Sequence, residues 1–277
     1  MMDRTTRRKI AVLERKVFML TALCLVLAIA LGVMTVLYVT KGGDTSGGEV
    51  QNGDNTDGEQ MSSAISSQLT PEQKAVMALA EDLDEWNLRL VNAKNPLPNG
   101  FTVETAKIEA SYARDVGMLY DAKAVSYLNQ MCAAAEKDGI NLLVISSHRT
   151  NARQTVLYNN QVNKQKANHP EMSDAEVKKL AATISAYPGT SEHEVGLAVD
   201  FNSVEQSFEN TAEFQWLKTH AAEYGFILRY TKEKQDITGV IYEPWHYRYV
   251  GQKHAKKINE LGYCLEEYID YLKNYTK

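Results

Sequence analysis

Cysteine is scarce in this chain, with three in 277 residues, at positions 24, 132 and 264. No two stand at the short spacing of a zinc finger, so a metal held by thiolates is not indicated. Cys132 and Cys264 either pair with each other or remain two buried free thiols, and the second is the more usual state for cysteines so far apart. An excess of positive charge is also missing: the net charge is −5, which leaves no basic surface for a nucleic acid. The HExxH pattern, which sets two histidines on one face of a helix, does not occur. Nor is there an internal repeat.

Charge is absent altogether from residues 17–39, VFMLTALCLVLAIALGVMTVLYV. About 20 apolar residues cross the hydrocarbon core as a helix. A secretory signal has a shorter apolar run of about 7–15 residues and then a small-residue cleavage site, and no such site follows here. The run is therefore expected to be a transmembrane helix. Arg4, Arg7, Arg8, Lys9, Arg15 and Lys16 precede it against Asp3 and Glu14 alone. The positive-inside rule then puts residues 1–16 in the cytoplasm and all that follows the span outside, with Tyr38 as an interfacial anchor. Residues 40–69 are rich in Gly, Ser, Asn and Asp and nearly devoid of large apolar side chains. They read as a flexible tether.

From Thr70 the composition becomes that of a folded domain, expected over 70–277. Thr70-Pro71-Glu72-Gln73 resembles a helix start, with a capping threonine and proline in the first turn. That helix should reach about residue 84. Further helices are expected at 121–138 (Val125, Leu128, Cys132 and Ala135 on one face), 151–166, 173–186, 211–223, 251–261 and 264–274. Strands are expected at 142–145, 197–201, 226–230, 237–242 and 247–250. There is no strict strand–helix–strand repeat. The order favours an α+β fold with a central, mostly antiparallel sheet flanked by helices.

Two clusters carry candidate chemistry. One is Ser191-Glu192-His193-Glu194-Val195-Gly196-Leu197-Ala198-Val199-Asp200, and the other is Glu243-Pro244-Trp245-His246. A catalytic zinc takes three protein ligands and keeps one position open. His193 before a strand and Asp200 near its end converge on one ion if the chain turns at Gly196, and His246 supplies the third ligand from a neighbouring strand. Glu243 then stands beside the ion as a proton acceptor for water. Taken singly, each half is weak, since a lone histidine is ordinarily a structural residue with satisfied nitrogens. Other histidines are less telling. His169 reads as a loop residue, and His220 and His254 as solvated helix residues. Trp216 reads as core.

Together, SxHxxGxAxD and the later ExxH closely resemble the D-Ala-D-Ala carboxypeptidase (VanY-like) family of zinc peptidases, related to lysostaphin-type enzymes and hedgehog-like domains. The resemblance spans most of residues 85–262, including LVNAKNPLP and EPWHYRYVG. It implies that His193, Asp200 and His246 bind Zn2+, that Glu243 is the catalytic base, and that Arg149 stabilises the oxyanion. Peptidoglycan stem peptides are the implied partner, with a terminal D-Ala-D-Ala bond as target. An endopeptidase or dipeptidase of the same class shares the ligand set. A non-catalytic wall-binding module would be expected to lack a ligand or the base, and none is lacking. His148 departs from the family, which more usually has Gly-Tyr before this Arg, so it is either a substrate contact or a surface residue. Gln154, one turn into the following helix, is expected to touch substrate. Ser191 either hydrogen-bonds substrate or caps a turn, and Trp245 is a pocket wall or a packing residue.

Overall fold

The computed structural model describes residues 69–275. The expected cytoplasmic segment 1–16, the span 17–39 and the tether 40–69, save its last residue, lie outside them. Among the described residues no helix is long and apolar enough to cross a membrane.

The first helix, α1 (Pro71–Ala80), begins as the sequence indicates. Thr70 Oγ1 accepts the Gln73 N–H at 3.1 Å, and Gln73 Oε1 accepts the Thr70 N–H at 2.8 Å, a capping box. The helix stops at Ala80, short of the expected end, and turns carry the chain to Asp84. Two short strands follow that sequence pattern did not reveal, β1 (Thr105–Lys107) and β2 (Leu119–Asp121), paired antiparallel. Since β2 occupies 119–121, the next helix begins later than expected. It is α2 (Val125–Lys137), and it buries Leu128, Met131, Cys132 and Ala135.

A four-stranded antiparallel sheet in the order β3–β4–β6–β5 forms the centre. Its members are β3 (Val144–Ser146), β4 (Ala198–Phe201), β5 (Phe226–Tyr230) and β6 (Glu243–Tyr249). Between β3 and β4 come α3 (Asn151–Asn168), α4 (Asp174–Ala182) and a single turn, α5 (Glu192–Val195). The helix α6 (Ala212–His220) tightens to a 3-10 turn over Ala221–Tyr224 before β5. The C-terminal helices are α8 (Gln252–Leu261) and α9 (Leu265–Lys273).

One expected strand is absent. Residues 237–242 are not extended: α7 (Gln235–Thr238) and a loop replace them, and the strand begins only at Glu243. The branched and aromatic residues that suggested a strand are used otherwise. Gly239 adopts φ 73°, which ends α7, and the Ile241 N–H donates to the Thr183 carbonyl outside any sheet.

The main core lies between the sheet and α2, around Tyr120, Leu128, Met131, Val199, Phe201, Phe226 and Tyr247. Trp216 belongs to it. A second cluster joins Val76 and Ala80 of α1 to Ile258 of α8 and Leu265, Tyr268 and Leu272 of α9. His254, expected to be solvated, is buried here at 1% exposure. Its Nδ1 lies 2.8 Å from the Tyr268 hydroxyl and its Nε2 lies 2.9 Å from Asp82 Oδ2, so it fastens the turn after α1 to the C-terminal helices. Cys132 and Cys264 are buried free thiols.

Candidate metal centre

Strand register brings the central residues together. Asp200 of β4 stands opposite Ser146 of β3 on one side and His246 of β6 on the other. Side chains alternate along a strand, so Asp200 and His246 share one face while Val199 and Tyr247 pack into the core on the other. His193 reaches this face from α5. Ser191 caps that turn, its Oγ accepting the His193 N–H at 3.3 Å. Gly196 ends the turn in the left-handed region at φ 80° and carries the chain into β4. A Cβ there would lie 3.3 Å from the Asp121 backbone nitrogen, so the site favours glycine twice over.

One nitrogen or oxygen from each of His193, Asp200 and His246 lies within 4.8 Å of the others, and all three residues are buried. His193 Nε2 is 3.3 Å from Asp200 Oδ2, and His246 Nδ1 is 3.1 Å from Asp200 Oδ1. The outer nitrogen of His193, Nδ1, donates to the Ser147 carbonyl at 2.8 Å, which leaves Nε2 as the lone-pair atom facing Asp200. Asp200 Oδ1 is buried without a hydrogen-bond partner. Two imidazole nitrogens and a carboxylate oxygen gathered in this way fit a zinc ion with one open position.

Glu243, at the start of β6, has Oε2 3.6 Å from His246 Nδ1. A register shift puts it there: Leu228 pairs with Tyr247 and Tyr230 with Glu243, so two steps along β5 span four along β6. Such an irregularity re-aims side chains, and Pro244 falls within it, where a missing N–H costs no ladder bond. Burial raises the Glu243 carboxyl to about 8. Burial likewise opposes charge on His246, but the carboxylates of Asp200, Glu192 and Glu243 overcome it and raise that imidazole to about 9. His193 moves the other way, lowered to about 4 by burial and by Arg149. A divalent cation among these groups favours the carboxylate and the neutral imidazole.

Arg149 follows β3 and turns inward, with 20% of its side chain exposed. Nη2 donates to Ser146 Oγ at 2.7 Å and to Asp200 Oδ2 at 3.0 Å, and Nη1 donates to Gln154 Oε1 at 3.3 Å. Gln154 is fully buried, and its Nε2 donates to the Ala186 carbonyl at 2.7 Å. Its amide is thus engaged at both ends, with Arg149 on one side and the Ala186 carbonyl on the other. His148 is half-buried beside them, and burial lowers its imidazole. Trp245 packs in the main core.

Some residues of the site escaped sequence reasoning. Glu194 accepts the Gly189 N–H at 2.9 Å and the Asn151 amide at 2.9 Å, tying the 188–191 loop to α3 and α5. Glu192 is buried between Arg229 and Arg248 behind His246. Period-two spacing was the available signal, because Arg248 follows His246 by two residues and so shares its face of the strand.

Fold and site together define an α+β protein with a buried His–Asp–His cluster and a separate glutamate beside it. The chain belongs to the VanY family of D-alanyl-D-alanine carboxypeptidases, which matches residues 118–252. It is similar to a D-alanyl-D-alanine carboxypeptidase of Enterococcus faecalis (strain ATCC 700802 / V583), 39% identical over 202 residues that cover 72% of each chain. Among solved structures it resembles a mutant of the vancomycin resistance D,D-pentapeptidase VanY in complex with Zn(II). That match has a TM-score of 0.59 and 40% identity, covering 67% of this chain and 99% of that one. VanYB in complex with D-alanine-D-alanine is similar to the same degree, with a TM-score of 0.59, 40% identity and coverage of 67% and 98%.

Proposed function

We propose that this protein is a zinc-dependent D,D-carboxypeptidase that removes the terminal D-Ala from peptidoglycan stem peptides. The observation that carries the proposal is the gathering of His193, Asp200 and His246 within 4.8 Å, with Glu243 3.6 Å from His246. The similar structures that hold zinc and D-alanine-D-alanine support it.

His193 Nε2, an Asp200 oxygen and His246 Nδ1 would hold the metal. Bound there, zinc supplies a Lewis acid that polarises the scissile carbonyl and acidifies water. Glu243 accepts the proton of the attacking water and returns it to the leaving D-Ala amine. Arg149, anchored by Ser146 and Gln154, donates to the charge that develops on the carbonyl oxygen, and because it is held in advance it needs no reorganisation at that moment. Overall one water is consumed, one amide bond is broken, and a shortened stem peptide and D-Ala leave.

We further assign residues 17–39 to a membrane span and 40–69 to a tether that lets the outward-facing domain reach stem peptides near the membrane. The uncharged run and the basic residues ahead of it support this assignment.

The test of the activity is direct. The full chain, incubated with a stem pentapeptide ending in D-Ala-D-Ala, should release D-Ala. Chelation should stop the release and added zinc should restore it. A zinc-loaded protein that releases no D-Ala from any muropeptide ending in D-Ala-D-Ala would overturn the assignment.

A further inference from the structure

Arg229 and Arg248 are the largest side chains buried below 2% exposure, and both point at one carboxylate. Arg229 Nε donates to Glu192 Oε1 at 2.7 Å, and Arg248 Nη1 donates to the same oxygen at 2.8 Å. Neither guanidinium is free to move. Arg229 also makes a forked pair with Glu266 of α9, at 2.8 and 2.7 Å. Arg248 also donates to the carbonyls of Asn87, Arg89 and Tyr249, at 3.1, 2.8 and 3.0 Å. Glu192 Oε1 is therefore fully claimed. Its other oxygen, Oε2, is buried with no hydrogen-bond partner, and so is His246 Nε2. These two atoms face each other at 3.5 Å.

A buried charge is costly unless it is paired, and a buried polar atom almost always has a partner. Here each orphaned atom has the other as its complement. We infer that Glu192 is the positioning residue of His246. Its Oε2 accepts the Nε2–H, which fixes the imidazole tautomer and leaves Nδ1 as the lone-pair nitrogen facing Asp200. The two arginines keep Oε1 occupied, so only Oε2 is offered to the ring. His193 is held in the equivalent way by the Ser147 carbonyl, but with its ring reversed: Nδ1 outward and Nε2 toward the cluster. The two ligands thus present different nitrogens, and each choice is made by the acceptor behind the ring. The inference rests on the reading of His246 as a zinc ligand.

The substitution Glu192→Gln tests it. In that variant the two guanidiniums keep the amide oxygen, so the amide NH2 faces His246 Nε2–H, a donor against a donor. Zinc affinity of the full chain in detergent, measured by chelator competition, should fall by about 10–100-fold, the usual effect of losing such a partner. Asp82→Asn serves as a control. It weakens another hydrogen bond to a buried histidine, His254, away from the site, and should leave zinc affinity unchanged even where it lowers stability. In the unmutated zinc-loaded chain, 15N NMR of the His246 ring should show a proton on Nε2 and none on Nδ1, a readout that requires no variant to fold. A proton on Nδ1, or equal zinc affinity in Glu192→Gln and the unmutated chain, would overturn the inference. Failure of the unmutated chain to bind zinc at all would instead overturn the metal site itself.

Discussion

Glu243 lies where two demands conflict. A general base must be ionised at the working pH, yet burial favours the protonated form and raises this carboxyl to about 8 in the metal-free protein. The sign of the consequence is fixed by proton counting. Unfolded, a glutamate releases its proton near pH 4.5, the model-peptide value; folded, Glu243 keeps it to about 8. Between these values the native state binds more protons, so Glu243's contribution to stability is present below about 4.5 and is lost as pH rises through 8. Glu243→Gln should remove that part of the pH dependence. Urea unfolding in the presence of a chelator, followed by tryptophan fluorescence, will report it, because Trp216 and Trp245 lie in the main core and Trp86 packs against it. With zinc added, the same variant should keep the metal and lose about 10²–10⁴-fold in kcat. Unchanged turnover would remove Glu243 from the chemistry.

At the scale of elements, the site depends on a single helical turn being ended sharply. Gly196 stops α5 at φ 80° and its carbonyl accepts the Asp121 N–H, joining this corner to β2. A side chain in that conformation costs roughly 1–2 kcal/mol, and its Cβ would press on the Asp121 nitrogen at 3.3 Å. Gly196→Ala should therefore lower unfolding free energy by about that amount. It should also weaken zinc binding, because His193 and Asp200 flank the turn. A midpoint in urea equal to that of the unmutated chain would show that the corner relaxes freely. The register shift between β5 and β6 is a second such device: it pairs Tyr230 with Glu243, where an unbroken ladder continuing from Leu228 and Tyr247 would pair it with Trp245.

For the molecule as a whole, the proposed span and tether concern location more than chemistry. Deleting residues 1–39 should move the protein from the membrane fraction to the soluble fraction while D-Ala release from a soluble pentapeptide persists. Full-length protein found in the soluble fraction would count against the span. Zinc should also raise the thermal midpoint, by an amount that grows with the logarithm of its concentration above Kd, since a ligand that binds only the folded state stabilises it.

The sequence by itself determined the pieces that local rules govern. Capped helices such as α1, the mostly antiparallel sheet and the His193, Asp200 and His246 cluster were legible, because capping is local, the element order lacks a strand–helix–strand repeat, and the cluster's residues stand in two short motifs that resemble a known family. Its errors came where tertiary contacts overrode local pattern. Residues 237–242 have strand-like side chains but fold as a helical turn and loop, and His254 lies on a basic helix yet is sealed between Asp82 and Tyr268. Tertiary structure alone decided which groups stand behind the site. Arg229 and Arg248 are far from Glu192 in sequence, and only the pairing of β5 with β6 and the placement of α5 bring them within 2.8 Å of one oxygen. Orientation of the ligand rings is settled by such long-range acceptors, which no spacing in the chain encodes.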